Sequence, residues 1–396
     1  MNGNDIVIVS TTRTAIGKFG GQFATTSAIE LGTTVAKAAI QKANLSPEQI
    51  DTVIFGNVLQ AGLGQNPARQ VGLGAGLSHA STAVTINEVC GSGLKAIISA
   101  AQVLRLGDAK IVLAGGMENM SLAPHLLQQR FAPKNGPVTL VDSLFIDGLT
   151  DAYSQDAMGI TAENIVEKYG FTREEQDAFA VASQQKAAKA QAEGRFASEI
   201  TPVAVFNRKT KSDDLKVTDE FIRPNTNLES LAGLKPSFKK DGTVTAGNAS
   251  GINDGAACVI MTTREYATEL GLPILATLKG YAEAGVDPSI MGIGPVPAIQ
   301  KLVARTRIPL EKVDVFELNE AFAAQSMAVI KDLKIPTEKV NPFGGAIALG
   351  HPIGASGTRI VVTLINALDQ LDGKIGVASL CVGGGMGVAI AIEREK

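Results

Sequence analysis

The chain has 396 residues, of which 45% are hydrophobic and 19% are charged, and its formal net charge is −3. This composition is that of an ordinary globular protein and excludes an intrinsically disordered chain. Lys and Arg are spread along the sequence without a basic run, so nucleic acid is not an expected partner. Three scattered cysteines are too few for a disulfide framework, and neither a leader peptide nor a membrane span is evident. We therefore expect a cytoplasmic protein with reduced thiols.

Short apolar runs alternate with helical patterns along the chain. Helices are predicted at 27–43 and 173–193, and each begins with a capping box, Ser27 with Glu30 and Thr172 with Glu175. Strands are predicted at 6–10, 51–58, 110–114, 313–318 and 375–380. Strands that alternate with helices indicate an α/β fold with a largely parallel sheet.

The two ends of the chain carry a repeated pattern. The sequence LSPEQIDTVIF from Leu45 resembles IPLEKVDVFEL from Ile308. Further along, GSGLKAIISAAQVLRLGDAKIVLA from Gly91 aligns without gaps onto ASGTRIVVTLINALDQLDGKIGVA from Ala355, at nearly the same offset. Two matches at a common offset predict two duplicated α/β halves, and a functional site is expected where these halves meet.

The region between the repeats breaks the pattern. It contains a polar helical stretch and a segment rich in Pro, Asn and Lys, and a long insertion of this kind commonly covers a ligand. We predict an N-terminal half at 1–120, to which 260–273 returns. The predicted insertion is 121–259, and the C-terminal half is 274–396.

Cys90 is the first candidate for chemistry. It lies in TINEVCGSGLKAIISA, where a short strand passes through glycines into an amphipathic helix. The N–H groups and dipole of the first helical turn favour an anion, so the thiol pKa is predicted to fall from about 8.5 toward neutrality. This is how a nucleophilic cysteine is presented.

Two other interpretations of Cys90 compete with that one. A lone cysteine is most often a buried, inert core residue. In addition, GSGLKA matches the G-x-G-x-x-G/A dinucleotide pattern, and Glu118 lies near where a ribose-binding acid would fall. Such a fingerprint normally opens the first βα unit, whereas this match comes well into the chain, which disfavours a nucleotide-binding oxidoreductase.

Two further residues can take part in proton transfer. His351 lies between glycine-rich loops just before a helix, where an imidazole can act as a base or donate to an oxyanion; a purely structural hydrogen bond is the alternative. Cys381 follows a predicted strand and precedes three glycines, and a second thiol is useful where a proton must leave a weakly acidic carbon. Cys258 lies in a strand-like run and is expected to pack in the core.

Several of these segments together resemble the thiolase family. They are NEVCGSG around Cys90, NEAFA from Asn319, GGAIALGHPIGASG around His351, CVGGGMG from Cys381 and GTVTAGNASGINDGAA from Gly242. The resemblance covers essentially the whole chain. It implies a thiolase-like α/β fold, in which two duplicated halves with mixed five-stranded sheets pack in layers and carry an inserted loop domain.

The resemblance also implies catalytic roles. Cys90 takes the acyl group as a thioester, His351 activates it, and Cys381 removes or returns the α-proton of the second acetyl-CoA. One oxyanion hole consists of His351 and a water held by Asn319. The other consists of the backbone N–H groups of Cys90 and Gly383.

A set of residues is implied for binding coenzyme A. Arg223 is expected near the nucleotide end. The pantetheine path is expected to be lined by Ser230, Leu234, Phe238, Ala246 and Ser250, and the acyl end by Leu149, Met158, Ala321 and Phe322. Two positions depart from the family pattern: Ala157 stands where many biosynthetic members have His, and Glu88 stands where Gln or Lys is frequent.

The function implied is that of an acetyl-CoA C-acetyltransferase, which reversibly converts two acetyl-CoA into acetoacetyl-CoA and CoA. The nearest alternative is a 3-ketoacyl-CoA thiolase acting on longer chains; a condensing ketoacyl synthase and a catalytically silent lipid-binding relative are further alternatives. No organic cofactor or metal is expected, because CoA is a substrate and product. No membrane partner is expected either. The family resemblance implies a homotetramer built from dimers, with 124–138 as the tetramer-forming loop.

Overall fold

The computed structural model describes residues 3–131 and 134–395. The strands are β1 (Ile6–Arg13), β2 (Gly17–Lys18), β3 (Thr52–Gly56), β4 (Thr82–Ile86), β5 (Ile111–Asn119), β6 (His125–Leu126), β7 (Val141–Asp142), β8 (Val203–Asn207), β9 (Ser212–Lys216), β10 (Asn253–Thr263), β11 (Ala276–Gly285), β12 (Val315–Leu318), β13 (Ile375–Val382) and β14 (Met386–Arg394). The helices are α1 (Ala28–Lys42), α2 (Pro67–Gly74), α3 (Ser92–Leu106), α4 (Met158–Tyr169), α5 (Arg173–Ala192), α6 (Leu228–Ala232), α7 (Arg264–Glu269), α8 (Pro295–Thr306), α9 (Ala323–Leu333), α10 (Ala346–Leu349) and α11 (Ile353–Gln370). The predicted strands correspond to β1, β3, β5, β12 and β13. The predicted helices correspond to α1 and α5, and both capping boxes are formed.

The strands of the two halves are arranged in the same order. In the first half the order is β4-β3-β5-β10-β1, and in the second it is β12-β13-β14-β11, with Val340 bridging Phe316 where a fifth strand would lie. In the first half β5 pairs antiparallel with β10, and β10 pairs antiparallel with β1. In the second half β13 pairs antiparallel with β14, and β14 pairs antiparallel with β11, so the expectation of a largely parallel sheet is wrong. The physical reason is clearest at β13 and β14, because a short turn can join only antiparallel strands.

The duplication is visible in matching hydrogen bonds. The Asp51 Oδ2 accepts the N–H groups of 110–111 at 2.7 and 2.9 Å, just where β5 begins. The Asp314 Oδ2 accepts those of 374–375 at 2.8 and 2.9 Å, where β13 begins. These are the positions that the internal repeat placed in register.

Helices α3 and α11 form the inner layer of the molecule. They pack against each other, and each contacts strands of both halves. Helices α1 and α2 cover the outer face of the first half, and α8 and α9 cover that of the second. The two sheets also meet at one edge, where β1 pairs with β11 through Val7 with Thr277 and Ile8 with Ala276. The window Val89–Leu106 is apolar enough to cross a membrane by composition, yet 56% of it is buried inside the protein, as in a core helix.

The insertion leaves the first half after β5 and returns as β10. It contains α4, α5, α6 and the β8–β9 hairpin. Strand β10 already pairs with β5 from Asp254 onward, which is earlier than the expected return at 260. The division of the chain into domains otherwise stays a prediction.

Candidate active site

A strained turn between β4 and α3 presents Cys90. Val89 has a φ of 46°, a conformation that is rare for a β-branched residue and persists only where the surrounding structure holds it. The Ser92 hydroxyl holds this turn, because it accepts the N–H of Glu88 at 2.8 Å and donates to the Val89 carbonyl at 2.6 Å. The half-buried Cys90 side chain therefore has a defined direction at the start of α3.

His351 is held from both its backbone and its ring. Its N–H donates to the Asn253 Oδ1 at 2.9 Å, and its Nδ1 lies 2.6 Å from the Ser356 Oγ. Gly350 precedes it with a φ of 110°, which only glycine adopts readily. Burial, with a smaller contribution from the Arg359 charge, lowers the pKa of His351 to about 3. The imidazole is therefore neutral near pH 7 and one ring nitrogen has a free lone pair, although the lowered pKa makes the resting ring a weak base.

Cys90, His351 and Gly383 line one cavity of about 540 Å³. The same cavity is lined by most of the residues predicted to bind CoA, namely Leu149, Met158, Arg223, Phe238, Ala246, Ser250, Ala321 and Phe322. Ser230 and Leu234 are not among its lining residues. Ser230 is exposed on α6, where its hydroxyl donates to the Asn227 carbonyl, and Leu234 packs beside Leu231. The structure thus brings together the predicted acyl and pantetheine residues except for these two.

Cys381 and Asn319 are buried behind the cavity lining. Cys381 packs against Ala321, Phe322 and Met291, and burial together with the neighbouring Cys90 thiol raises its pKa well above the ordinary value. The Nδ2 of Asn319 lies 3.5 Å from both ring nitrogens of His351. Its Oδ1 is buried without a hydrogen-bond partner among the described residues, so it can accept a hydrogen from a bound molecule.

The predicted lowering of the Cys90 pKa is wrong in direction. Burial raises the pKa of Cys90 to about 11, although the N–H groups of Gly383 and of Cys90 itself donate to the sulfur and act in the opposite sense. A helix dipole contributes only about 0.3–1 kcal/mol, which is too little to offset the burial of a thiolate. The resting thiol is therefore protonated, and its proton has to leave as the sulfur reacts.

The structure adds residues that the sequence did not indicate. Lining residues that were missed include Lys18, Phe19, Phe145, Phe221, Met291 and Ile353. Among residues that position others, Asn253 and Ser356 were missed. Ser356 carries the one usable signal, since a Ser in the first turn of a helix lies near the residue that precedes that helix.

Cys258 and Glu118 are both enclosed by the protein. Cys258 is buried in the first half, and its thiol donates to the Val35 carbonyl at 3.1 Å, as expected for a packing residue. Glu118 is fully buried and all its hydrogen-bond partners are protein groups around it, so it does not offer a carboxylate to a ribose. The dinucleotide interpretation therefore loses its acidic residue.

Comparison with known proteins supports the catalytic interpretation. The family model described as the thiolase N-terminal domain matches 6–265, and that of the thiolase C-terminal domain matches 272–394. The chain is 56% identical over 392 residues to the acetyl-CoA acetyltransferase of Cupriavidus necator, covering 99% of this chain and 100% of that protein. A crystal structure of the Bacillus anthracis acetyl-CoA acetyltransferase superposes with a TM-score of 0.96 at 44% identity, covering 99% of each chain. That of human mitochondrial 3-ketoacyl-CoA thiolase gives 0.95 at 42% identity and covers 100% of both chains.

Proposed function

The chain belongs to the thiolase family, and from this premise we propose that it is an acetyl-CoA C-acetyltransferase. It converts two acetyl-CoA into acetoacetyl-CoA and CoA, reversibly, through an acetyl thioester on Cys90. The observation that carries the proposal is the presence of Cys90, His351 and the Gly383 backbone in one cavity, whose other walls are mainly apolar.

In the first half-reaction, the Cys90 sulfur attacks the thioester carbonyl of acetyl-CoA while its proton passes to His351. The bond between the carbonyl carbon and the CoA sulfur breaks, and the CoA thiolate takes the proton back from His351. The hydrogen-bond donors beside the Cys90 sulfur support this step. The N–H groups of Cys90 and Gly383 can donate to the carbonyl oxygen and stabilise the negative charge that develops on it.

In the second half-reaction, the thiolate form of Cys381 removes a proton from the α-carbon of another acetyl-CoA, and the resulting enolate attacks the acetyl group on Cys90. The Cys90 thiolate leaves as acetoacetyl-CoA forms, and transfer of the proton from the Cys381 thiol to the Cys90 thiolate restores the starting state. In the reverse direction the Cys381 thiol protonates the enolate of the leaving acetyl-CoA. Its raised pKa favours the protonated thiol, which suits this cleavage direction. Asn319 and His351 lie together and can stabilise the enolate oxygen through a bound water.

The size of the acyl group is limited by the side chains around the reacting sulfur. Leu149, Met158, Met291 and Phe322 line the cavity near its catalytic end. We propose acetyl and acetoacetyl groups as the preferred substrates over the long chains of a degradative 3-ketoacyl-CoA thiolase. Thiolysis rates measured with acetoacetyl-CoA and with a longer ketoacyl-CoA compare the two directly.

The test of the covalent step is to mix the protein with acetyl-CoA, quench in acid and map acetylated peptides by mass. An acetyl group on the Cys90 peptide, absent from a Cys90→Ala control, is the expected result. If acetyl-CoA and protein both remain intact and Cys90 carries no label, even with acetoacetyl-CoA plus CoA, the proposed function is wrong.

We also propose that the enzyme is a homotetramer built from dimers. Strand β4 supports the dimer, because it is an edge strand in the described part of the chain and its Val84 side chain is 47% exposed. The tetramer contact is supported by exposed apolar side chains in and beside 124–138, which are Leu122, Leu127, Phe131, Val138 and Leu140. Residues 132–133 of this loop lie outside the described residues. A monomeric mass by light scattering at working concentration would contradict the proposal.

A further inference from the structure

Glu118, at the end of β5, is a fully buried carboxylate surrounded by hydrogen-bond donors. Its Oε1 accepts the Asn57 Nδ2 at 2.7 Å and the Leu59 N–H at 3.1 Å. Its Oε2 accepts the Val58 N–H at 3.1 Å and the Gly354 N–H at 2.9 Å. Each oxygen thus receives two donors, and one carboxylate connects the loop after β3 to the first turn of α11.

The two segments joined by Glu118 carry the two sides of the reacting centre. Gly354 lies in the turn that follows His351, at the start of α11. In the loop after β3, Val58 and Leu59 form a small apolar cluster against which the Cys90 side chain packs. The carboxylate therefore links the backbone that carries the base to the wall that holds the nucleophile.

The contact between Glu118 and α11 leaves no room for a side chain. A Cβ at Gly354 would lie 2.7 Å from the Glu118 Oε2 and 2.7 Å from the Met117 carbonyl oxygen. The helix therefore approaches the carboxylate with its bare backbone, and the spacing between the His351 turn and β5 is set by this contact.

We propose that Glu118 is a positioning residue for acyl transfer, which holds the His351 turn in place against the wall of Cys90. The proposal rests on the proposed function for the reaction it serves. The hydrogen bonds favour the ionised form of Glu118, because four N–H donors point at its two oxygens. The hydrogen of a protonated carboxyl group would face one of these donors. Glu118 does not line the cavity, so it acts through His351 and Cys90 and not on substrate.

The charge of Glu118 also acts on the nucleophile. Burial makes the largest contribution to the raised pKa of Cys90, and the charge of Glu118 makes a small one in the same direction. Burial raises the pKa of Glu118 itself to about 7, with a smaller contribution from the neighbouring Asp254. Cys90 and Asp254 are therefore the titratable groups whose pKa values should change when Glu118 loses its charge.

The test is the Glu118→Gln variant, which keeps the shape but places an NH2 group against two donors. We expect kcat for thiolysis of acetoacetyl-CoA to fall by about 100-fold, as for a small misplacement of a catalytic group, with KM changed by less than about threefold. Removal of the negative charge should also shift the pH profile of Cys90 alkylation by iodoacetamide to lower pH. Because a loss of packing around Cys90 would lower its pKa as well, the shift reports the lost charge only when amide hydrogen exchange around Cys90 matches that of the wild type.

The matched control is Asp51→Asn. Asp51 also accepts two backbone N–H groups, at the far end of β5 from the cavity, so its loss should reduce stability with little effect on kcat. If Glu118→Gln does not fold, Gly354→Ala replaces it, since the added methyl group pushes the His351 turn away from an unchanged carboxylate and should lower kcat at constant KM.

The proposal is overturned if folded Glu118→Gln has the kcat of the wild type. If that variant does not fold, a wild-type kcat in Gly354→Ala overturns it. So does a loss of kcat equal to that of Asp51→Asn. The alkylation experiment uses no acyl substrate. If the wild type does not cleave acetoacetyl-CoA, the proposed function fails, and an unshifted alkylation profile in Glu118→Gln would separately overturn the role of Glu118.

Discussion

The Ser356 Oγ lies 2.6 Å from the Nδ1 of His351 and determines which ring nitrogen can accept a proton. The Ser356 hydroxyl donates its single hydrogen to the Pro352 carbonyl at 2.9 Å, so its oxygen is left to accept from the imidazole. The hydrogen of the neutral ring is thus assigned to Nδ1, and Nε2 keeps its lone pair. The first half-reaction requires a base with a free lone pair, and His351 lines the same cavity as Cys90.

Ser356→Ala should lower the rate of Cys90 acetylation by about fivefold, which corresponds to the roughly 1 kcal/mol of one neutral hydrogen bond. The reason is that the ring then populates both tautomers, and one of them has no lone pair on Nε2. Single-turnover acetylation with acetyl-CoA measures this rate. Thr363→Val is the control on the same helix, because the Thr363 hydroxyl binds Glu199 far from the cavity. An equal loss in both variants would contradict the assignment.

His351→Asn should lower Cys90 acetylation by about 10²–10⁴-fold, the usual contribution of a positioned base. The resting Cys90 thiol is protonated, and its proton must be removed as the sulfur attacks. His351 is the proposed acceptor of this proton. The rate of acetyl transfer in a single turnover is the readout. His79→Asn serves as control, because His79 is exposed and does not line the cavity. Acetylation of His351→Asn at the wild-type rate would exclude His351 as the base.

Alkylation of Cys90 by iodoacetamide should keep rising with pH well beyond the range of an ordinary thiol. The thiolate is the reactive form, and burial raises the pKa of Cys90 to about 11, so the rate increases about tenfold per pH unit up to that value. In the unfolded chain the rate should level off near pH 8.5, the ordinary thiol value. Peptide mapping of the alkylated protein gives both profiles, and a plateau of folded Cys90 below about pH 8 would show that its pKa is lowered.

Cys381→Ala should separate the two half-reactions. Acetylation of Cys90 by acetyl-CoA should persist within a few-fold, because Cys381 takes no part in it. Turnover of acetoacetyl-CoA with CoA should fall by about 10²-fold or more, since general acid–base catalysis of the carbon–carbon step is lost. Substitution of a buried Cys by Ala removes only the sulfur, so folding is expected to survive. Condensation retained in Cys381→Ser would instead favour a ketoacyl synthase.

Local sequence was informative wherever a segment carries its own signal. The strand and helix patterns and the capping boxes depend on residues near each other in the chain, and the structure confirms them. The match between Asp51 and Asp314 came from the internal repeat, and the structure gives both carboxylates equivalent hydrogen bonds. The thiolase blocks likewise identified Cys90, His351 and Gly383 as neighbours, and these residues do line one cavity.

Contacts between distant segments could not be predicted in this way. Glu118 meets Gly354, and Asn253 meets His351, only because α11 is packed between the two halves. From the sequence, Glu118 is noted only as lying near the position of a ribose-binding acid in a disfavoured interpretation, since nothing local shows that its carboxylate is enclosed by donors. Ser230 and Leu234 illustrate the reverse error: they lie close in sequence to cavity residues, yet neither lines the cavity, and Leu234 packs beside Leu231 of α6.

The α/β class, the duplication and the identity of the reactive groups could be predicted from the chain alone, because periodicity, turn chemistry and reactive side chains are properties of neighbouring residues. The protonation state of these groups depends on the folded protein. The Cys90 pKa illustrates this difference: the helix that follows it predicts a lowered value, and burial raises it to about 11. Desolvation depends on every segment that excludes water from the sulfur, and those segments come together only when the two halves and the insertion have folded.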